Sequence, residues 1–186
     1  MDSLLLRTPR LLLRDWRDDD HAPFAQMNAD AEVMRYFPRP LDRAESDALA
    51  TRIRTRLSVR RYGLWAVEVC DVAPFIGFVG LTEPSFEAHF TPCVEIGWRL
   101  ARNSWGNGYA TEAARAALDF GFRRLGLEQI VSFTASVNWR SRGVMERIGM
   151  THSSDDDFAH PLLSADHPLS HHVLYRANEL LESGET

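Results

Sequence analysis

Residues 102–112, which read RNSWGNGYATE, decide the interpretation of this sequence. The stretch leaves a strand-like run, turns through Gly106 and Gly108, and enters the pattern of an amphipathic helix. Two glycines one residue apart let backbone N–H groups converge without Cβ clashes, and the first turn of a helix adds unpaired N–H donors. The positive end of the helix dipole also favours anions. Strand, glycine turn and helix in this order favour a site for phosphate oxygens, with a plain connecting turn as the alternative.

The sequence on either side of this turn alternates between strand and helix periodicity. Strand-like runs are predicted at residues 10–16, 64–69, 74–81, 93–100, 129–137 and 172–177. Helices are predicted from Asp18 to about Asn28, from Asp42 onward, from the glycine turn to Gly126, and from Asn138 to Gly149. The second helix is expected to bury one apolar stripe: Ala44, Ala48, Leu49, Ile53 and Leu57.

The order of these elements predicts the fold class. Strand, helix and strand around the glycine turn favour a parallel pair joined by a crossover helix, and the early hairpin adds antiparallel strands. We therefore expect a single domain over residues 1–186, with an α/β or α+β fold and a mixed sheet flanked by helices. The segment 155–172 is expected to be a loop, because Pro161 and Pro168 interrupt it.

The composition excludes several classes of protein. All 21 basic residues are Arg, and the absence of Lys excludes a Walker-A site, a Lys Schiff base and the Lys–Glu pair of protein kinases. The net charge of −5 argues against non-specific nucleic-acid binding. Cys70 and Cys93 lack CxxC spacing and favour a reducing compartment. No stretch approaches the ~20 apolar residues of a membrane span, so we expect a cytoplasmic protein.

Two longer stretches carry a resemblance to a known family. Residues 95–112, EIGWRLARNSWGNGYATE, resemble the acetyl-CoA-binding motif of the GNAT superfamily of N-acetyltransferases, whose pattern Gln/Arg-x-x-Gly-x-Gly/Ala is filled by residues 103–108. Residues 138–150, NWRSRGVMERIGM, resemble its second motif. The opening TPRLLLR at residues 8–14 is similar to the subgroup that includes ribosomal-protein N-terminal (alanine/serine) acetyltransferases. The resemblance spans about residues 8 to 176.

This resemblance implies a fold and a cofactor site. The sheet would be mixed, mostly antiparallel and splayed between its central parallel strands, with acetyl-CoA lying in the opening. The pantetheine would pair with backbone around Trp98 to Leu100, and the pyrophosphate would bind the amides of residues 107–111. The cofactor-binding residues that it implies are Trp98, Arg99, Leu100, Arg102, Asn103, Gly106, Asn107, Gly108, Tyr109, Ala110, Thr111, Asn138 and Ser141.

The chemistry of acetyl transfer points to a general base. An amine that attacks a thioester needs deprotonation, positioning and an oxyanion donor rather than an enzyme nucleophile. Glu95 is the first candidate for the base, because burial between apolar neighbours would raise the pKa of its carboxyl. The alternative is a solvent-facing or structural carboxylate. Glu83 and His89 are reserve candidates, and backbone near residues 96–98 is the expected oxyanion donor.

The second motif adds two more catalytic candidates. Asn138 is expected to cap a short helix and, by the resemblance, to contact the acetyl region through water or pantetheine. Ser141 would face the thiol from the first helical turn. Many relatives carry a Tyr seven residues after the Asn as a general acid, but this position is Met145 here. The departure leaves Ser141, or no dedicated acid, as the proton donor.

Other candidates have equally simple structural explanations. Arg140 and Arg142 could meet the 3′-phosphate or remain solvated on the helix surface. Four histidines in the 155–172 segment lack a clean metal-ligand pattern, so no metal is expected: His160, His167, His171 and His172. Four aromatic residues could line the acceptor side, with core packing favoured for the last: Trp16, Tyr36, Phe37 and Trp65.

The sequence therefore predicts an N-acetyltransferase that moves acetyl from acetyl-CoA directly to a primary amine in a ternary complex. The acceptor is a protein N-terminus or a small-molecule amine. A non-catalytic acyl-CoA-binding module and a different enzyme acting on a phosphate-bearing ligand are the alternatives. No membrane or nucleic-acid partner is expected. A homodimer is left open, since no interface is visible in the sequence.

Overall fold

One continuous sheet of nine strands forms in the computed structural model, which describes residues 5–60 and 62–179. The strands in chain order are β1 (Leu6–Arg7), β2 (Leu11–Arg14), β3 (Leu64–Val69), β4 (Ala73–Thr82), β5 (Glu95–Leu100), β6 (Gln129–Ala135), β7 (Thr151–His152), β8 (Phe158–Ala159) and β9 (His171–Asn178). Their order in the sheet is β1-β2-β3-β4-β5-β6-β9-β7, and β8 pairs with β9. Among these strands every pair is antiparallel except β5 with β6.

Helices cover both faces of this sheet. The described residues form α1 (His21–Ala29), α2 (Arg43–Arg60), α3 (Tyr109–Leu125) and α4 (Trp139–Arg147). On one face, Phe24 of α1 packs against Phe78 of β4. On the other face, Phe120 of α3 packs edge-on against Trp65 of β3. The two faces are opposite because Phe78 pairs with Ala66, the neighbour of Trp65, and successive side chains of a strand alternate.

Local sequence signals set the helix ends. Asp42 and Glu45 form a capping box at the start of α2, in which the Asp42 carboxylate accepts from Glu45 N–H at 2.8 Å and the Glu45 carboxylate accepts from Asp42 N–H at 3.0 Å. The α3 helix ends at Gly126, whose φ of 65° is left-handed. Asn138 caps α4 by accepting from Ser141 N–H at 3.3 Å. These three helix ends, the start of α2, the end of α3 and the start of α4, lie where the sequence predicts them.

The central parallel pair is splayed, as expected. Glu95 and Val131 form its one register pair, where Val131 N–H donates to the Val94 carbonyl at 2.9 Å. The Ser132 hydroxyl then donates to the Ile96 carbonyl at 2.9 Å. Beyond these contacts, β5 and β6 have no further register pair in the described chain. The predicted fold class, a mostly antiparallel mixed sheet with one splayed parallel pair and flanking helices, is confirmed.

Two details of the predicted elements are wrong. In α2 the buried face contains Ser46, Ala50, Ile53 and Leu57, whereas Ala44 and Ala48 are exposed. Ser46 is buried because its hydroxyl accepts a hydrogen bond from the buried Asn28 amide at 2.8 Å, a contact that apolar periodicity cannot reveal. The segment expected as a loop contains β8, a two-residue strand that is too short to show a period.

Candidate functional site

A cavity of about 920 Å³ lies where β5 and β6 separate. Its wall is formed by β5, the glycine turn and first residues of α3, β6, the start of α4, the segment after α1 and the segment before β9. The volume is in the range of ligand sites in proteins. The sheet itself therefore creates the cavity, because two neighbouring strands diverge instead of continuing to pair.

The backbone of β5 presents unpaired groups to this cavity. The Ile96 carbonyl faces β6, since it accepts from the Ser132 hydroxyl. The N–H and carbonyl of one strand residue point to the same side, and those of the next residue point to the other side. The Trp98 N–H and carbonyl therefore also face the gap rather than β4. The Leu100 carbonyl faces the same way and accepts from the Trp105 indole N–H at 2.8 Å. An extended ligand with its own amide groups could pair with this edge as a strand does.

The glycine turn provides a second set of unpaired donors. Within the described chain, the backbone N–H groups of residues 106–111 have no hydrogen-bond acceptor. Gly106 and Gly108 adopt left-handed φ values of 80° and 79°, which glycine tolerates and other residues rarely adopt. Both glycines are exposed and border the cavity. Six amides at the positive end of a 17-residue helix form a favourable site for an anion.

Residues from the N-terminal segment hold the turn in place. The Arg10 guanidinium pairs with Glu112 at 2.6 Å and donates to the Asn107 carbonyl at 3.0 Å. The Thr8 hydroxyl also donates to Glu112 at 2.6 Å. Burial acts to raise the pKa of Glu112, but hydrogen bonds from Thr8 and Arg10 outweigh it and lower that pKa. Sequence reasoning missed this contact because the partners are more than 100 positions apart.

Glu95 lies at the start of β5, on the wall of the cavity. Within the described chain its carboxyl has no hydrogen-bond or ion-pair partner. The residue is half-buried and borders the cavity, and desolvation of its carboxyl raises the pKa to about 8. Its Oε1 lies 3.8 Å from where a Cβ on Gly97 would be, so the missing side chain leaves the carboxyl uncovered. A carboxyl in this state can exchange a proton near neutral pH.

Asn138 and Ser141 reach the cavity from the start of α4. Besides capping the helix, the Asn138 amide donates to the Thr134 hydroxyl at 2.9 Å, so its side chain is fixed by two protein contacts. The Ser141 hydroxyl has no partner among the described residues. Met145, at the position where the resemblance implies a general acid, borders the cavity and is almost fully buried. Its thioether cannot act as a general acid.

Some predicted site residues lie apart from the cavity. Glu83 pairs with Arg60, and His89 lies 3.5 Å from Asp156, so both reserve bases have structural partners elsewhere. Trp16 and Trp65 are buried in the core, whereas Tyr36 and Phe37 border the cavity. Of the predicted cofactor-binding residues, all border the cavity except three: Arg102, Asn103 and Asn107. The cofactor-binding role of every residue in the set stays a prediction.

Arg140 and Arg142, the sequence neighbours of Ser141, have different environments. Arg142 donates to the Ser136 carbonyl at 3.0 Å and to the Tyr175 hydroxyl at 3.3 Å, which accounts for it structurally. Arg140 stacks over Trp105 with its guanidinium carbon 5.0 Å from the ring centre. Arg140 therefore lies on the rim near the glycine turn, where positive charge favours an anionic ligand.

Sequence reasoning missed the wall contributed by the segment before β9. His160 and His172 border the cavity beside Phe133, with their rings 4.8 Å apart. Burial lowers the pKa of both imidazoles, that of His172 to about 4, so they are neutral at pH 7. This wall is completed by three leucines: Leu162, Leu163 and Leu169. The sequence predicts a loop for this segment, and a loop carries no pattern that would place it beside β6.

The described residues contain no cluster of three or more His, Cys, Asp or Glu arranged for a metal ion. Over the same residues, no helix has the length and apolar character needed to cross a bilayer. Among the described residues, three sets of cavity groups have no hydrogen-bond partner: the amides of the turn, the N–H and carbonyl of Trp98, and the carboxyl of Glu95.

Comparison of this chain with known proteins identifies a matching family and several relatives. Residues 10–151 match the model of the acetyltransferase (GNAT) domain. The uncharacterized protein YkkB of Bacillus subtilis is 33% identical over 149 residues, covering 80% of this chain and 86% of that protein. The FsC-acetyl coenzyme A-N(2)-transacetylase of Aspergillus fumigatus is 32% identical over 141 residues, covering 72% of this chain and 59% of that protein.

Solved structures share the fold. An acetyltransferase from Agrobacterium tumefaciens superposes with a TM-score of 0.76 at 27% identity, covering 96% of both chains. Ribosomal-protein acetyltransferases are also structural neighbours. One is the ribosomal L7/L12 alpha-N-protein acetyltransferase RimL in complex with coenzyme A, with a TM-score of 0.73 at 15% identity, covering 94% of this chain and 98% of that one. At that identity the likeness shows the fold alone.

Proposed function

Because the chain belongs to the acetyltransferase (GNAT) family, we propose that it transfers acetyl from acetyl-CoA directly to a primary amine in a ternary complex. The acceptor is a protein N-terminus or a small-molecule amine. One observation carries the proposal: the free amides of residues 106–111 adjoin a cavity opened by the splayed strands β5 and β6. The diphosphate binds these amides, and the pantetheine pairs with the free Trp98 carbonyl, which leaves the Trp98 N–H for the thioester.

The proposed reaction assigns a role to each unpaired group. The neutral amine attacks the thioester carbonyl, and its proton passes to Glu95, directly or through water. The Trp98 N–H stabilises the oxyanion of the tetrahedral intermediate. The C–S bond then breaks and the amide is released. The CoA thiolate takes a proton from solvent, directly or relayed through the Ser141 hydroxyl, and Glu95 returns its proton to solvent. A thiolate is a good leaving group. The reaction therefore does not require a general acid at the position of Met145.

The alternative of a non-catalytic acyl-CoA-binding module has less support. Such a module requires the glycine turn but has no use for a buried carboxyl without a protein partner. Burying Glu95 in this state costs folding free energy, and a structural carboxylate would be expected to have a hydrogen bond or a cation nearby. The family match also argues against an enzyme for a different phosphate-bearing ligand.

Two further proposals concern the setting of the reaction. We place the protein in the cytoplasm, in keeping with two cysteines that are both free thiols. A homodimer is proposed only as a form to be tested, by light scattering on the eluted protein. Neither nucleic acid nor membrane enters the proposed reaction.

The experiment that tests the function is a panel of peptides and small amines incubated with acetyl-CoA. Release of CoA thiol is measured after correction for Cys70 and Cys93. Calorimetry should show tighter binding of CoA than of ATP or NAD, and the reverse order would overturn the donor assignment. Initial velocities should give intersecting lines for the two substrates, whereas parallel lines would contradict direct transfer. Acetyl-CoA binding with no amine acetylated would favour the module.

A further inference from the structure

Arg99 carries a positive charge into the cavity without an anionic partner. Its Nη1 donates to the Asn28 side-chain carbonyl at 2.7 Å, and Asn28 is neutral. Its Nε is buried and has no hydrogen-bond partner. Within the described chain, no carboxylate lies within ion-pair distance of this guanidinium. Burial lowers the pKa of Arg99 to about 10, so the side chain is still charged at pH 7.

Neutral groups fix this guanidinium from three sides. The amide of Asn28 in α1 donates to the Ser46 hydroxyl in α2 at 2.8 Å, and both residues are fully buried. The Phe37 ring centre lies 4.1 Å from the guanidinium carbon and that of Phe78 lies 5.5 Å away. Cation–π contacts offset part of the desolvation cost, but they do not neutralise the charge. The arrangement holds a cation in place and leaves its charge available.

The position of Arg99 on β5 relates this charge to the proposed reaction. Side chains two apart share one face of a strand, so Glu95, Gly97 and Arg99 face the same side of β5. Four strand residues span about 13 Å between the Cα atoms of Glu95 and Arg99. Gly97 has no side chain to block the space between them. One ligand lying along β5 can therefore present an amine near Glu95 and a second polar group near Arg99.

The second group must be an anion to complete the site. A buried cation is costly unless it is paired, and this chain supplies no partner. A planar guanidinium matches a carboxylate in charge and shape. Glu32 also borders the cavity, but it is exposed, so solvent screens its charge. Resting on the proposed function, we propose that the acceptor amine also carries a carboxylate, which forms an ion pair with Arg99.

The test compares aminoalkanoates of increasing length, from glycine to 6-aminohexanoate, with the matching carboxamides. For each pair, kcat/KM at saturating acetyl-CoA is measured in wild type and in Arg99→Gln. We expect the carboxylate-to-carboxamide ratio to fall about tenfold or more in the variant for the member of best length. Comparing ratios between the two proteins cancels differences in amine basicity. Equal ratios in both proteins would overturn the proposal.

Controls separate this proposal from the proposed function. Arg123→Gln removes an exposed arginine on α3 and should leave every ratio unchanged. Acetyl-CoA affinity should be the same in Arg99→Gln and wild type, which shows that the variant is folded. Calorimetry of the best aminoalkanoate with the CoA complex provides a readout independent of turnover. Binding lost in Arg99→Gln supports the ion pair even if no amine is acetylated. Acetylation of amines without a carboxylate preference overturns the ion pair while acetyl transfer stands.

Discussion

Arg14, which is buried, and Arg99, which is half-buried, have opposite electrostatic environments. Arg14 at the end of β2 donates to both oxygens of the buried Asp20 at 2.8 and 2.9 Å, and its Nε pairs with Glu68 at 2.8 Å. Burial acts to lower the pKa of Arg14, but the hydrogen bonds that it donates to these two carboxylates, with their negative charge, outweigh this effect and raise that pKa. Arg99 has only neutral neighbours, and burial lowers its pKa.

The difference distinguishes charges that serve the fold from charges available to a ligand. At Arg14 every charge is compensated inside the protein, so the group connects β2, β3 and the turn before α1. In the cavity, Glu95 and Arg99 share one strand face and both lack ionic partners within the described chain. Their pKa values are shifted toward the neutral forms by burial alone. An uncompensated charge away from solvent costs stability, and the ligand proposed for this cavity would offset that cost.

The largest effect should come from Glu95→Gln. Removing the base should lower kcat by about 10²–10⁴-fold, because a positioned proton acceptor contributes that much to such reactions. The affinity for acetyl-CoA, measured by calorimetry, should be unchanged. Glu128→Gln alters an exposed carboxylate and should leave activity intact. A Glu95→Gln enzyme with wild-type kcat would show that this unpaired carboxyl is not the base.

The second test compares stability at the two arginines. Arg14→Met leaves Asp20 buried without its cation and should cost about 3–5 kcal/mol of unfolding free energy in urea titrations. Arg99→Met should change it by about 1 kcal/mol, since loss of the Asn28 hydrogen bond is offset by removal of an uncompensated buried charge. Equal destabilisation by both variants would contradict the comparison and make Arg99 a structural residue.

A pH profile sharpens the comparison further. Glu95 must be ionised to accept a proton, and its pKa is about 8. Log(kcat/KM) for the amine should therefore rise by about one unit per pH unit below that value, in addition to the slope from the amine itself. Glu95→Gln should lose this one unit of slope and keep the slope of the amine. An identical slope in both enzymes between pH 6 and pH 7.5 would exclude titration of Glu95.

The smallest effect extends the comparison to backbone groups. Gly108 begins α3 among free amides, whereas Gly126 ends it with its N–H bonded to the Phe122 carbonyl at 3.1 Å. Both have positive φ, so alanine at either position should cost roughly 1–2 kcal/mol of stability. We expect only Gly108→Ala to weaken acetyl-CoA binding, by about tenfold, as the amides shift. A similar loss of affinity in Gly126→Ala would point to general destabilisation.

Much of the fold was predictable because its elements carry strong local signals. The β3 strand coincides with the strand-like run predicted at residues 64–69, and the ends of α3 follow from Gly108 and Gly126. The splayed pair followed from the family resemblance rather than from the pattern. Strands of two residues, such as β1, β7 and β8, contain too few residues to define a period.

The site was predictable in its backbone but not in its side-chain partners. The free amides at the glycine turn and the raised pKa of Glu95 follow from local sequence. The ion pair between Arg10 and Glu112 and the position of His160 beside Phe133 depend on contacts between segments that are distant in the sequence. For Arg99 the sequence predicted a backbone contact with the cofactor. Its missing counter-ion became visible only when every neighbouring side chain was placed.

The single register pair between β5 and β6 has a consequence for the stability and the lifetime of the protein. Strand edges with unsatisfied backbone groups invite pairing with foreign chains, and proteins usually guard them at the periphery of a sheet. Here such an edge lies in the middle. Acetyl-CoA that binds between β5 and β6, at a concentration one hundred times its dissociation constant, would add about 2.7 kcal/mol to the free energy of unfolding. Scarcity of the donor should then expose the protein to aggregation and proteolysis, linking its lifetime to the supply of its own substrate.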